Sequence, residues 1–174
     1  MDDDTKAPVP AGGSEEGPLD GIDPELLARV RALRLMDDDF MTAVFAGDNR
    51  LTGLLLGILL SRGDLRVTRS MTQRELHNLF GRSVRLDILA EDAEGRLYNV
   101  EVQRADKGAA ARRARYNLAM LDTHTLKKRD DFAALPDTYI VFITEHDHLG
   151  LGLPLYRVEK RFAGTDLPFD DGCT

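Results

Sequence analysis

The sequence predicts an α/β fold, a mixed β-sheet flanked by helices, and three observations carry that reading. Two neighbouring segments, 84–91 and 96–103, alternate apolar and polar residues on either side of a Gly-ended turn, the period-2 pattern of paired strands. The run at 139–143 (Tyr-Ile-Val-Phe-Ile) is uncharged and rich in β-branched and aromatic residues, as in a central strand covered on both faces. Between them, residues 109–128 repeat apolar side chains at helical spacing, so strand, strand, helix and strand follow in an order that suits layered packing.

Each element has its own signals. Asp23-Pro24 reads as an N-cap followed by proline at the first helical position, opening a helix over 24–35 with Leu26, Leu27, Val30 and Leu33 on one stripe. Asp37 to Asp39 restart the chain before a short helix holding Phe40, Met41, Val44 and Phe45, and Gly47-Asp48-Asn49 is a turn. Residues 50–62 read as a largely buried helix ending near Gly63, and 65–68 as a short strand. Thr72-Gln73-Arg74-Glu75 fits a capping box, which predicts a helix running to Phe80 and stopping at Gly81. In the long helix at 109–128, Ala110, Ala114, Leu118, Leu121 and Leu126 form the expected inner stripe. Leu135-Pro136-Asp137 is a turn, and 155–158 reads as a last strand.

The chain has 174 residues, 43% of them hydrophobic and 30% charged, which suits one globular domain. Residues 1–21, rich in Asp, Glu, Pro and Gly, read as a disordered acidic tail before a single domain over 22–174. The lone Cys173 excludes a disulfide framework or a Cys-based zinc site and points to a reducing, cytoplasmic setting. No apolar run approaches the roughly 20 residues that cross a bilayer, so no membrane partner is expected. Residues 1–39 hold 11 acids and 4 bases, which accounts for the whole net charge of −7 and leaves the remainder balanced. Within that remainder, 104–129 carries eight bases against two acids, a local excess compatible with a polyanion partner.

The most informative segment is the hairpin. A three-residue loop, Ala93-Glu94-Gly95, is normally a type I turn followed by one left-handed residue, the place Gly95 fits. That turn sets Asp92 opposite Arg96. It pairs Leu86 with Val102, Ile88 with Val100 and Ala90 with Tyr98 on an apolar face, so turn chemistry and hydrophobic pattern give one register. The same register puts Asp87 across from Glu101, with Cβ atoms about 5 Å apart. Two like charges so placed repel unless a cation or proton lies between them, and a hard divalent ion such as Mg²⁺ takes carboxylate oxygens while keeping several waters. The Val102 carbonyl could add an oxygen, and Gln103, pointing to the same side as Glu101, could hold a water or a phosphate oxygen. A solvated sheet face with two unliganded acids is the alternative, although Leu89 and Leu97 on that face call for partial cover.

Asp87, thirteen intervening residues, then Glu101-Val102-Gln103 resembles the PD-(D/E)XK nucleases. More closely it resembles the branch of PD-(D/E)XK nuclease family transposases, or Rpn-type recombination-promoting nucleases, where the last motif is commonly Glu-x-Gln. Asp38-Asp39-Phe40-Met41, Arg85-Leu86-Asp87-Ile88, Arg115-Tyr116 and the 139–143 strand resemble further motifs of that branch, over roughly residues 34 to 172. Two departures stand out: no proline precedes Asp87, and Gln103 replaces the usual Lys. Members of the family usually continue into another strand and helices where this sequence ends at Asp170-Asp171-Gly172-Cys173-Thr174, so the domain reads as truncated there.

The resemblance implies a restriction-endonuclease-like core and Mg²⁺-dependent hydrolysis of DNA phosphodiesters, with Mn²⁺ as a substitute ion, in a setting of DNA recombination. Asp87 and Glu101 would be catalytic and, with Val102, would hold the metal; Gln103 would orient a water that an amide cannot deprotonate. Glu75 is a candidate third acid, a place the capping box explains equally well. Arg112, Arg113 and Arg115 are candidates for phosphate contact and Tyr116 for stacking, against a solvated helix face and packing as the simpler roles. Lys127, Lys128 and Arg129 suit a helix C-terminus without DNA. His146-x-His148 offers too few further ligands for a transition-metal site. DNA is the implied partner, and a homodimer stays open. Two other readings remain: an inactive nuclease-fold remnant that binds nucleic acid or protein, and an α/β interaction domain with no nucleic-acid role.

Overall fold

A computed structural model describes residues 22–34, 36–104 and 111–174, without the side chains of Asp38 and Asp39. The tail at 1–21, Leu35 and Ala110 therefore lie outside the described residues. The chain divides into two compact units, Met1–Leu33 and Arg34–Thr174. In the first, helix α1 (Pro24–Ala32) starts as its sequence signals: the Asp23 carboxylate accepts the Glu25 N–H at 2.8 Å and proline takes the first turn. No residue of α1 is buried, and Leu26, Val30 and Leu33 stand exposed.

The second unit begins with α2 (Asp38–Phe45) and α3 (Asn49–Leu59). Gly47 (φ +71°) makes the turn, and Asp48 caps α3 by accepting the Leu51 N–H at 2.8 Å. Only Thr52 and Leu56 of α3 are buried, whereas Leu54 and Ile58 are 60% and 68% exposed. The expected buried helix is therefore amphipathic, with one turn-spaced stripe on the sheet and the opposite one in solvent.

Four strands follow: β1 (Val67–Leu76), β2 (Val84–Asp92), β3 (Leu97–Gln103) and, after helix α4 (Ala111–Thr125), β4 (Thr138–Thr144). Their order in the sheet is β1-β2-β3-β4; the first three form an antiparallel meander, and β4 returns parallel to β3 through α4. A parallel return needs such a crossover element.

The expected helix over 72–80 is not formed. Thr72-Gln73-Arg74-Glu75 lies in β1, with Thr72 opposite Ile88 and Glu75 opposite Arg85. A capping box is a local signal. The outer edge of β2, whose residues 88–90 are buried, needs a bonded neighbour, and that pairing outweighs local preference. Of the strand expected at 65–68, only 67–68 is formed, as the start of this longer one.

The hairpin turn forms as read. Gly95 has φ +80°, its N–H donates to the Asp92 carbonyl at 3.2 Å, and the Asp92 N–H donates to the Arg96 carbonyl at 3.1 Å. Ile88–Val100, Leu89–Asn99, Ala90–Tyr98 and Glu91–Leu97 pair in the expected register.

Packing fills both sides of the sheet. Ile88, Ala90, Tyr98, Val100 and Val102 meet Met41, Phe45 and Leu56 from α2 and α3, joined by Tyr139, Val141 and Ile143 of β4. A second cluster sets Leu76, Leu86 and Leu89 against Met120 and Leu121 of α4. Leu86 is thus buried apart from Ile88, with which simple alternation grouped it. Gln73, in the left-handed region at φ +53°, stands at the level of Asp87, where the pairing skips a residue on each strand. The strict period of two fails there.

Two further expectations change. β4 is the last of the four strands rather than a central one, and only Thr138 in it is buried. Its outer edge is still bonded: the Thr138 N–H donates to the Gly172 carbonyl at 2.7 Å, and the Ile140 N–H to the Thr174 carbonyl at 2.9 Å. Residues 155–158 form no strand. Tyr156 instead donates to the Asp147 carboxylate at 2.8 Å, which also accepts the Leu149, Gly150 and Gly152 N–H groups and closes a loop.

A polar knot secures the hairpin. The Tyr98 hydroxyl donates to Asp92 Oδ2 at 2.6 Å, and Arg96 Nε donates to the same oxygen at 2.7 Å. Burial opposes ionisation of Asp92, but these bonds outweigh it and hold the carboxyl below its usual range. Burial, then the Asp92 hydrogen bond and charge, push Tyr98 up to about 12 from an ordinary 10.0. The fold therefore favours the neutral phenol. That stabilisation is complete below pH 10.0 and drains away as pH rises towards about 12. A tyrosinate absorbance titration should show one tyrosine ionising late, a step that Tyr98→Phe abolishes. The same variant should lose about 2 kcal/mol in urea unfolding at neutral pH.

Candidate active site

The ladder between β2 and β3 closes at Ile88–Val100 and does not continue to Asp87 and Glu101. At that level the Val102 N–H donates to Asp87 Oδ2 at 2.8 Å, a side-chain carboxylate replacing a strand carbonyl as acceptor. The Asp87 backbone amide in turn bonds the Glu101 carboxylate. The two acids thus exchange side-chain-to-backbone bonds across a fork where the strands part. They meet as expected, in a fork rather than as a regular cross-strand pair, because each carboxylate takes a main-chain N–H of the opposing strand.

Glu101 is 0% exposed. Asn99 Nδ2 donates to its Oε1 at 2.9 Å, and the Arg113 guanidinium bonds its Oε2. Arg113 also lies over the Phe142 ring, 5.9 Å from the centroid, and Phe142 is the β4 neighbour of Glu101. Burial, foremost, and the Asp87 charge raise the Glu101 pKa; the Asn99 bond, the Arg113 charge and the Asp87 amide pull it down, and the net shift is upward.

The network extends into α4. Asn117 Nδ2 donates to Asn99 Oδ1 at 3.1 Å, and both asparagines are buried. The buried face of α4 is therefore Asn117, Met120 and Leu121: of the stripe expected from apolar spacing Leu121 is buried, Ala114, Leu118 and Leu126 are only half-buried, and Ala110 lies outside the described residues. A hydrogen-bonded Asn at 117 turns the helix away from its most hydrophobic phase. Asn99 and Asn117 were not among the sequence candidates. The signal was an asparagine inside an otherwise β-favouring strand, on the face already expected to be covered.

The remaining candidates lie as follows. Gln103 and Val102 are buried at the end of β3, with Gln103 in register with Thr144. Glu75 is on an exposed stretch of β1, its carboxylate 3.6 Å from the His77 ring, so it does not reach the site from a preceding helix as expected. Arg112 and Arg115 are exposed on the first turns of α4. Tyr116 donates to the Arg82 carbonyl at 2.6 Å and receives Asn78 Nδ2 at 3.3 Å, which pins the β1–β2 connection. Of the eight bases at 104–129, Arg104 is paired with Asp37 at 2.6 Å and Arg113 with Glu101. The local positive excess is smaller than the sequence count.

Among the described residues, no group of three or more His, Cys, Asp or Glu is placed to hold a metal ion. Asp87 and Glu101 are close enough for the charge of one to raise the pKa of the other, and carboxylate oxygen is the donor a hard cation takes, but both Glu101 oxygens are already bonded, to Asn99 and to Arg113.

A mixed four-stranded sheet flanked by helices is consistent with an α/β nuclease fold. The signature of the PD-(D/E)XK nuclease family transposases matches residues 51–150, more than half of the sequence, and the chain belongs to that family. PD-(D/E)XK nucleases typically use divalent metals. No curated protein and no solved structure matches the chain.

Removing Asn117 strands the Asn99 carbonyl oxygen in a buried setting. Asn117→Ala should cost about 2 kcal/mol in denaturant unfolding. A change under about 0.5 kcal/mol, the range of an ordinary surface substitution, would show the bond contributes nothing.

Proposed function

We propose that the protein is a divalent-metal-dependent DNA endonuclease. The observation that carries the proposal is the fork: a wholly buried Glu101 carboxylate beside Asp87, on two strands that separate at that level. In this reading Asp87 and Glu101 hold a Mg²⁺ or Mn²⁺ ion, with the Val102 carbonyl as a further oxygen. Such an ion, when bound, would supply Lewis acidity to a phosphoryl oxygen and lower the pKa of a water. Gln103, an amide with no useful basicity, orients the attacking water without deprotonating it. Arg112 and Arg115, exposed on α4, neutralise backbone phosphates.

One observation favours a second reading, an inactive fold that only binds nucleic acid or protein: the Glu101 carboxylate is already neutralised by Arg113. Divalent ions separate the two. They raise the melting temperature of a metal-binding nuclease and leave that of an inert binder unchanged.

The direct test is nicking of supercoiled plasmid DNA with Mg²⁺ or Mn²⁺ against a chelator control. Cleavage should require the ion and fall at least about 100-fold in Asp87→Asn and in Glu101→Gln. Nicking that persists in both variants, or in excess chelator, would remove the proposed chemistry.

A further inference from the structure

We infer that Arg113 is an internal counter-cation that competes with the divalent ion for Glu101 and, once displaced, becomes a phosphate ligand. The inference rests on the nuclease reading and adds a displacement step to it.

The two partners of the ion pair differ in freedom. The Glu101 side chain is 0% exposed and sits inside a strand, held by Asn99 from the same face. The Arg113 side chain is 43% exposed and sits in the first turn of α4. Glu101 is held on both carboxylate oxygens. Arg113 can leave. Of the two described side chains that bond the Glu101 oxygens, Asn99 is wholly buried and Arg113 is the one that reaches solvent.

The position is costly for Arg113 in isolation. A helix N-terminus carries partial positive charge, and Arg112, Arg113 and Arg115 crowd like charges onto it. Glu101 and the Phe142 face offset that for Arg113 alone, which explains why this arginine docks while its neighbours stay in solvent. An arriving divalent ion brings twice the charge to the same carboxylate and to Asp87. The freed guanidinium then joins Arg112 and Arg115 on the turn where phosphates would lie, with planar donors suited to a phosphate oxygen pair.

The competition predicts the direction of a variant that a plain DNA-contact role does not. Mn²⁺ is titrated into the full chain without DNA, with free ion read by electron paramagnetic resonance. Arg113→Gln should bind the ion at least about tenfold more tightly than the parent, and Arg113→Lys should fall between them. Equal or weaker binding in Arg113→Gln, with the parent still binding, overturns the competition and leaves the nuclease reading intact. Binding by neither protein overturns both. A readout on the unaltered chain covers loss of fold in the variants: the Arg113 Nε–H signal in nitrogen-15 NMR should move and exchange faster with solvent as Mg²⁺ is added. A signal that stays put while Mg²⁺ binds also overturns the inference.

Discussion

A carboxylate inside a sheet has to be matched, and much of this structure follows from how Glu101 is matched. Leaving an ionised group in the interior without partners costs far more than the net stability of a domain. Here the partners come from three directions: a neighbour on its own strand (Asn99), a helix laid across the sheet (Arg113) and the main chain of the adjoining strand (Asp87). Each fixes the position of a separate element. The acid is accordingly a determinant of geometry as well as a candidate for chemistry. A network of this kind keeps its advantage only while every member is satisfied.

The register of α4 illustrates the point. Its apolar residues alone would set Leu118 at the centre of the contact. The structure places Asn117 there instead, bonded to Asn99, and Arg113 follows one turn earlier onto Glu101. Helical spacing of four residues puts these two polar side chains in line, so a single rotation of the helix serves both the structural and the charged contact. The cost is a less apolar interface, supported by Met120 and Leu121 one turn further on.

How much of this could be read beforehand depended on the range of the determining interaction. The Asp92–Arg96 turn was legible because Gly95 and its neighbours dictate it locally, and the register that brings Asp87 towards Glu101 followed from it. The fork was not legible, because it requires side chains to replace ladder bonds, and alternation carries no mark of that. Thr72 to Glu75 spells a helix start in isolation; only the demand of β2 for a bonded neighbour makes it a strand. Tyr139 to Ile143 read correctly as a strand but not as the last of four, since position within a sheet is a long-range property. Asn99 and Asn117 lay in plain sight as residues out of character for their elements, and each became informative only once the other was opposite it.

The main-chain seal on the far side of β4 has a consequence for how the chain behaves before that seal forms. Thr138-Tyr-Ile-Val-Phe-Ile-Thr144 carries no charge, no proline and no glycine, the composition from which cross-β stacks are built. What covers the start of that edge is Gly172 to Thr174, some thirty positions downstream, and only glycine suits position 172, where φ is +72° and Asp137 Oδ1 lies 2.8 Å from where a Cβ would stand. During synthesis the vulnerable strand emerges well ahead of its cover. Until those residues are in place the edge is open to a strand of another copy, so chain concentration sets a contest between closure and self-association.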